Sequence, residues 1–570
     1  MKITIAKTAG FCMGVRRAVD MVLDASRSTQ GPIYTYGPLI HNPQALEMLE
    51  EKGIPSISAI PEKAEGTILI RAHGVPPQEE KALEKAGFTV INATCPRVIR
   101  VQTIIRKYAE KGYAAIIIGD RDHPEVKGLL GYAPENGYTA ASMEEFKALP
   151  EFSNAVIVAQ TTQNTALYND IKQWTQTHNP HYLIFDTICD STEKRQAEVR
   201  TIAEKSDAIV VIGGKKSGNT RRLAQIAKET GKPWFHIEDI TELDFEKLAD
   251  AESVAVTAGA STPNWIINKT CRAIEEFFLK RKHFTSPFLF QTRDFLLKSN
   301  LLLALGAGCL TYTSFRLQGL DHNIIHAFIA MLYILSMQII NNIFSIKSDK
   351  YNNPGRALFY GRHRTLLTII SAACGGAGLF MAFFLNTISF YVLMVMSILG
   401  LSYNFKIIPG GISGDRIKRI KDIPGSKTIL ISAAWGIVTT ILPGMNESVP
   451  VSLLPALIFC SGLVFARTAF FDILEIQGDK ITGKETIPII IGEKNSVRLI
   501  KEILILLFLT LLSAAGLGII EQCGFLIALV PVVMLYTVHC SEKGNIRSNA
   551  RLEFVIESHF VLAGILAMLC

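Results

Sequence analysis

Thr89-Val90-Ile91-Asn92-Ala93-Thr94-Cys95-Pro96-Arg97 reads as an apolar strand, a polar turn and the start of a helix, with a thiol at the junction. The arrangement recurs. Cys12 follows Ile3-Thr4-Ile5-Ala6 and precedes the helical segment Val15-Arg16-Arg17-Ala18-Val19. Cys189 follows Leu183-Ile184-Phe185-Asp186-Thr187-Ile188 and precedes a helix starting near Thr192. The separations, 83 and 94 residues, suit three similar α/β units that each offer one thiolate to a common centre. A helix amino terminus stabilises a thiolate, and function in parallel α/β folds sits at strand-to-helix turns. So wide a spacing excludes a zinc ribbon, whose cysteines pair closely. It also differs from ferredoxins, whose four ligands crowd together. Three inert buried cysteines are the alternative that placement alone leaves open.

The pattern extends outward. The apolar runs Thr67–Ile70, Ala115–Ile118, Ala155–Val158, Ala208–Ile212 and Val254–Val256 are each followed by a polar turn and a helix-period segment. Unbroken apolar strands of this kind belong to sheets covered on both faces, so residues 1–283 are expected to form a soluble α/β domain. The whole 570-residue chain is 49% hydrophobic and only 19% charged, against about a quarter charged in an average soluble protein. That argues against disorder and against a wholly soluble chain. Net charge +7, from 58 basic and 51 acidic residues, is too small to argue for nucleic acid, and ten cysteines are too few for a disulfide framework. The start, Met1-Lys2-Ile3-Thr4-Ile5-Ala6, lacks the apolar core of a secretory signal. The first half is therefore expected in the cytoplasm.

The hydrophobic surplus lies beyond Lys280-Arg281-Lys282-His283 and a basic, proline-containing linker over 284–295. Nine segments of bilayer-spanning length follow, near 296–315, 324–345, 365–385, 387–404, 425–445, 449–471, 499–520, 522–540 and 554–570. Lys and Arg concentrate in the loops after the even-numbered spans, while the other loops hold essentially Arg316 alone. Basic loops face the cytoplasm. The expectation is an all-α domain of about nine transmembrane helices over 296–570 in the cytoplasmic (inner) membrane, with Cys570 outside.

Two polar stretches lie where these spans meet the cytoplasm. In the first, Asn342, Ser345 and Asp349 share a helix face; in the second, Asp472, Glu475 and Asp479 stand at i, i+3 and i+7. Three converging carboxylates repel one another unless cations neutralise them, and Mg²⁺ bridging to phosphate is the usual partner. Helix-end charges meeting interfacial water are the other reading. The two stretches resemble the aspartate-rich motifs of UbiA-like intramembrane prenyltransferases, a resemblance covering about 290–570. Gly478-Asp479 through Gly483, Thr486, Ile487 and Pro488 follow the second motif, with Glu475 for an aspartate and Ile487 for a leucine. In the first, Asn342 and Ser345 stand where aspartates are usual, and Asp349 remains. Tyr403, Asn404 and Lys406 resemble the loop whose basic residue meets a diphosphate. The resemblance implies Mg²⁺-dependent prenyl transfer at Asn342, Asp349, Asp472, Glu475 and Asp479. An inactive anchor or lipid-binding module is the alternative.

The remaining turns of the first half carry His41, His73 and His123, with Glu125, Gln160-Thr161-Thr162, Ser217-Gly218-Asn219 and Ser261. Histidines beside hydroxyl and amide donors at helix starts suit an anion of several charges, such as a diphosphate. Glu125 could supply a proton. Gly10-Phe11-Cys12, Ala72-His73-Gly74-Val75, Ala93-Thr94-Cys95-Pro96, His123-Pro124-Glu125-Val126 and Thr257-Ala258-Gly259-Ala260-Ser261 occur in the order of the LytB family of 4-hydroxy-3-methylbut-2-enyl diphosphate reductases, which about 1–280 resembles. The resemblance implies a three-lobed, trefoil-like fold with a pseudo-threefold arrangement, and a 4Fe–4S cluster on Cys12, Cys95 and Cys189. His41, His73, His123, Ser217, Gly218, Asn219 and Ser261 would bind the diphosphate. Thr161 and Glu125 would position the substrate hydroxyl, with Glu125 as proton source. Gly218 stands where many relatives carry a second serine, and Asp120-Arg121-Asp122 is a more charged lead-in than usual. The implied partners are prenyl diphosphates, membrane lipids and an electron donor such as ferredoxin or flavodoxin.

Overall fold

The computed structural model describes residues 2–29, 31–281, 285–321, 324–403, 406–408, 418–420, 423–445, 451–542 and 550–570. The chain divides into two compact units, Met1–Arg281 and Lys282–Cys570.

The first unit holds twelve strands: β1 (Lys2–Ile5), β2 (Ile33–Tyr36), β3 (Ser56–Ile57), β4 (Thr67–Ile70), β5 (Thr89–Asn92), β6 (Ala114–Ile118), β7 (Gly137–Ala140), β8 (Ala155–Ala159), β9 (Leu183–Ile184), β10 (Ala208–Ile212), β11 (Trp234–Ile237) and β12 (Ser253–Ala258). They form three four-stranded parallel sheets of order β1-β12-β10-β11, β5-β4-β2-β3 and β9-β8-β6-β7. Every residue of β6, β8 and β10 is buried, which is why these strands read as unbroken apolar runs.

The three sheets repeat one plan. The edge strands β1, β5 and β9 lead to Cys12, Cys95 and Cys189. The next strands, β12, β4 and β8, lead to Ser261, His73 and Thr161. The third strands, β10, β2 and β6, lead to Ser217, His41 and His123. All nine turns therefore sit at carboxyl-terminal strand ends, where parallel α/β sheets place their ligands.

The second unit is helical. Among the described residues, six helices are long and apolar enough to cross a membrane: Ile324–Asn352, Arg364–Leu385, Ser426–Gly444, Leu453–Leu474, Glu493–Gly516 and Cys523–Glu542. A seventh candidate is the pair Phe290–Lys298 and Leu301–Gln318, bent by 73°. Two of the nine expected spans, near 387–404 and 554–570, are not among these. Thr387–Ser402 has only 16 residues, and Ala550–Met568 carries Arg551, Glu553 and Glu557. Residues 284–295, expected as a linker, are helical from Thr285 in a helix that runs to Lys298. Asn404 and the side chain of Lys406 lie outside the described residues.

The core of this unit gathers Tyr333, Phe459 and Leu463 with Trp435 against Phe560, ring centroids 5.3 Å apart. Arg364–Leu385 instead exposes Leu366, Ile369, Phe380, Phe383 and Phe384, an apolar face suited to lipid.

Candidate functional site

Cys12, Cys95 and Cys189 are each the residue that caps a helix amino terminus: Met13–Ser28, Pro96–Ala109 and Asp190–Glu204. Their backbone N–H groups donate to the turn of the adjacent strand in the same sheet, Cys12 to Ala260 O (3.0 Å), Cys95 to Ala72 O (2.9 Å) and Cys189 to Thr161 O (2.9 Å). Val15 N–H donates to the Cys12 sulfur at 3.4 Å. Burial pushes the Cys95 thiol up, against the helix-end N–H groups that pull it down. All twelve residues singled out in this half line one cleft, open to solvent, with an empty volume of about 710 Å³.

The rings of His41, His73 and His123 lie 4.5, 5.6 and 5.4 Å apart, centre to centre. Burial, with the mutual charge of neighbours and Arg71, holds His41 and His123 down at about 4 and His73 well below the usual range. The triad is therefore neutral at pH 7. Their ring nitrogens approach closely enough to hold a metal ion, but His123 Nδ1 accepts from Glu125 N–H at 3.1 Å. A neutral ring that accepts at Nδ1 carries its proton at Nε2, so His123 offers a donor rather than a metal-binding lone pair. His41 Nε2, His73 Nδ1 and both side-chain polar atoms of Asn219 are buried without a partner among the described residues. Such groups need a polar occupant. Ser261 Oγ donates to His41 O (3.0 Å), and Ser217 Oγ accepts from Thr220 N–H (3.4 Å). A Cβ at Gly218 would stand 3.4 Å from His123 Nε2, so that position lies directly beside the triad.

Glu125 is 2% exposed. It accepts from Thr161 N–H (2.7 Å) and pairs with Thr161 Oγ1 (3.0 Å). Burial raises its carboxyl to about 7 despite these bonds, so it keeps a proton near neutrality, beside a hydroxyl that can relay it.

In the second unit the carboxylates Asp472, Glu475 and Asp479 converge within 4.8 Å. Lys427 Nζ stands 2.7 Å from Asp472 and 3.6 Å from Glu475, Thr428 Oγ1 donates to Asp472 (2.7 Å), and Lys484 lies 3.3 Å from Asp479. Asn352 donates to Asp479 Oδ1 at 2.9 Å, a contact that needs Gly478: a Cβ there would fall 1.7 Å from the Asn352 oxygen. Asp479 Oδ2 is buried and has no hydrogen-bond partner among the described residues. Asp349, nearly buried, feels Glu475, Arg356, Lys484 and Lys427. Asn342 instead meets Gln338 through a long 3.5 Å bond.

Comparison with known proteins divides the chain in the same way. Residues 3–275 match the LytB protein family, and 301–555 match the UbiA prenyltransferase family. The 4-hydroxy-3-methylbut-2-enyl diphosphate reductase of Geobacter sulfurreducens is 39% identical over 282 residues, half of this chain and all of that protein. The first half belongs to the LytB family. The second half is a UbiA-family domain, so the chain is a fusion of the two. Among solved structures, the Plasmodium falciparum E-1-hydroxy-2-methyl-but-2-enyl-4-diphosphate reductase is 27% identical with a TM-score of 0.46, covering 48% of this chain and 87% of that one. A UbiA homologue from Archaeoglobus fulgidus bound to DMAPP and Mg²⁺ is 15% identical with a TM-score of 0.36, covering 48% and 97%.

The LytB half fits a multi-iron group. Its three thiols, each at a helix amino terminus, line one cleft. A Cβ at Gly14 would lie 2.4 Å from the Cys95 sulfur, so glycine keeps that wall open. Sequence reasoning missed Arg195, buried and bonded to Gly10 O beside Cys12, and Lys427, a counter-charge to Asp472 and Glu475 in the UbiA half. Neither sits in a motif. Only the pairing of distant segments reveals them.

Proposed function

We propose that the LytB half is an iron–sulfur 4-hydroxy-3-methylbut-2-enyl diphosphate reductase and that the UbiA half transfers a prenyl group from an allylic diphosphate to an acceptor. The observation that carries the first reading is the meeting of three thiols at helix amino termini, a neutral histidine triad and the protonatable Glu125 on one cleft. The reaction takes up two electrons and two protons, breaks the substrate's C–O bond and releases the hydroxyl as water. It leaves isopentenyl and dimethylallyl diphosphate. A 4Fe–4S cluster on Cys12, Cys95 and Cys189 would supply the electrons and a Lewis-acid position at the iron that lacks a cysteine. The electrons originate in an external donor of the ferredoxin or flavodoxin class.

The protein's own residues bind and protonate. His41, His73 and His123 donate to the diphosphate, with Ser217, Asn219, Ser261 and the Gly218 N–H. A polyanion among these rings favours their charged forms, so binding draws protons in. Thr161 orients the substrate hydroxyl, and Glu125 delivers the proton that converts it to water. The repeated strand plan of the three sheets supports a pseudo-threefold, trefoil-like arrangement. On the basic-loop count, the reductase half occupies the cytoplasmic side and Cys570 the opposite one.

In the UbiA half, Asp472, Glu475 and Asp479 would hold Mg²⁺ against a diphosphate, with Asp479 Oδ2 as the uncommitted donor and Asn342 and Asp349 from the facing stretch. Transfer from radiolabelled prenyl diphosphates to membrane lipids should require Mg²⁺ and vanish in Asp479→Ala; no transfer by the intact chain would leave this half as an anchor. For the LytB half, anaerobically purified protein should contain about four irons per chain and reduce the hydroxylated diphosphate. Cys95→Ser should lose both, and full activity in that variant would overturn the reading.

A further inference from the structure

The three cysteine-capped helices are linked in a ring. Arg17, on the Cys12 helix, donates to Thr94 O, the residue before Cys95, at 3.0 Å. Arg97, on the Cys95 helix, pairs with Asp190, the residue after Cys189, at 2.7 Å. Arg195, on the Cys189 helix, closes the ring by donating to Gly10 O, two residues before Cys12, at 2.7 Å. Each arginine thus ties one thiol-bearing turn to the next.

The three ties differ in weight. Arg97 and Asp190 are 39% and 61% exposed, and an exposed pair contributes little. Arg195 is 3% exposed. Its guanidinium also donates to Ala258 O (3.0 Å), three residues before Ser261, and to Ser191 Oγ (3.4 Å). No carboxylate lies within ion-pair distance of it among the described residues. Glu198, one turn away, is committed to Thr8 through its N–H (2.8 Å) and hydroxyl (2.6 Å). A buried cation without a carboxylate in ion-pair contact is costly unless an anion faces it; Gly10 and Ser191, to which Arg195 donates, stand two residues from Cys12 and Cys189, thiolates on the cluster reading.

We propose that Arg195 is a positioning residue for the iron–sulfur site: it clamps the Cys12 turn to the Cys189 helix, and its charge raises the reduction potential of the group those thiolates hold. The inference rests on the cluster reading of the LytB half. A fixed positive charge in a low-dielectric site favours the reduced, more negative state, and potentials of such clusters respond to nearby charge.

The test uses the full chain, purified anaerobically, with iron content and an EPR-monitored redox titration read separately. Iron-free wild-type protein would overturn the cluster reading itself. With iron present, Arg195→Gln should titrate at a more negative potential with a lower kcat and a nearly unchanged KM. Arg195→Lys should return the potential to near the wild-type value. Arg97→Gln should titrate as wild type. A fully loaded Arg195→Gln with the wild-type potential sinks the proposal. Should Arg195→Gln not fold, Arg195→Lys decides: its single ammonium cannot span both carbonyls, so it should lose iron to a chelator several-fold faster, and a wild-type rate overturns the clamp.

Discussion

Glu125 accepts from the N–H of Thr161 and pairs with its hydroxyl, bonds that favour the anion, and still burial keeps its carboxyl at about 7. Two consequences follow at the residue scale. Between about 4.5 and 7 the folded chain holds a proton that the unfolded chain has released, so the contribution of Glu125 to stability falls as pH rises through that window. His41 and His123 act oppositely: between 6.5 and about 4 the unfolded chain binds protons the folded one refuses, and their contribution is lost as pH falls. On the proposed role of Glu125 as proton source, its proton is the reactive one. We expect kcat to be level below about 7 and to fall about tenfold per pH unit above it. Glu125→Gln should lower kcat by about 10²- to 10⁴-fold, abolish that alkaline limb and leave diphosphate binding in place. A pH profile of both proteins checks this; an unchanged limb in the variant would remove Glu125 from the proton path.

At the scale of elements, the strand-turn-helix junctions carry the proposed LytB site, and these were the most legible part of the sequence. Each is contiguous, so Cys95 could be placed between a strand and a helix from nine residues alone. What contiguous reading misses is pairing at a distance. Arg195 meets Gly10 across 185 residues, and Lys427 meets Asp472 across 45; no local pattern announces either. The shape of the first expected span was hidden for a related reason. Length and hydropathy report how much apolar chain there is, not that Asn300 takes φ +60° and breaks one segment at a 73° bend. Asparagine tolerates that left-handed conformation, and nothing near it in sequence reads as a stop. Gly14 tests the junctions directly. It lies inside the helix Met13–Ser28, where alanine is favoured by about 1 kcal/mol over glycine, but its Cβ would press on the Cys95 sulfur at 2.4 Å. Gly14→Ala should therefore keep or raise the apoprotein's melting temperature while iron per chain drops. Parallel calorimetry and iron analysis separate the two effects, and an undiminished iron content would show that the thiols have room to spare.

At the scale of the whole molecule, the orientation of the membrane half turns on Ala550–Met568, the segment whose charges set it apart from the long apolar spans. Those charges are not bare. Glu557, 3% exposed in its side chain, meets Arg467 of Leu453–Leu474 at 2.6 Å, and Glu553 pairs with Arg356. Two carboxylates neutralised by arginines of neighbouring elements can occupy a helix bundle that an isolated charged helix could not. If the segment crosses, exposed Cys570 lies opposite the basic loops and should react with a membrane-impermeant maleimide in spheroplasts. Protection of Cys570 there would mean that the segment lies along one face. The pairing itself makes the stronger test. Breaking a buried ion pair strands its partner in low dielectric, at a cost of about 3–5 kcal/mol, whereas removing both charges together is often nearly neutral. Arg467→Met and Glu557→Gln should each lower the melting temperature of detergent-solubilised protein markedly. The double variant should be more stable than either single one, because it leaves no orphaned charge. Simple additivity of the two losses would mean that Arg467 and Glu557 act independently, and the helix would then need another explanation for its place in the bundle.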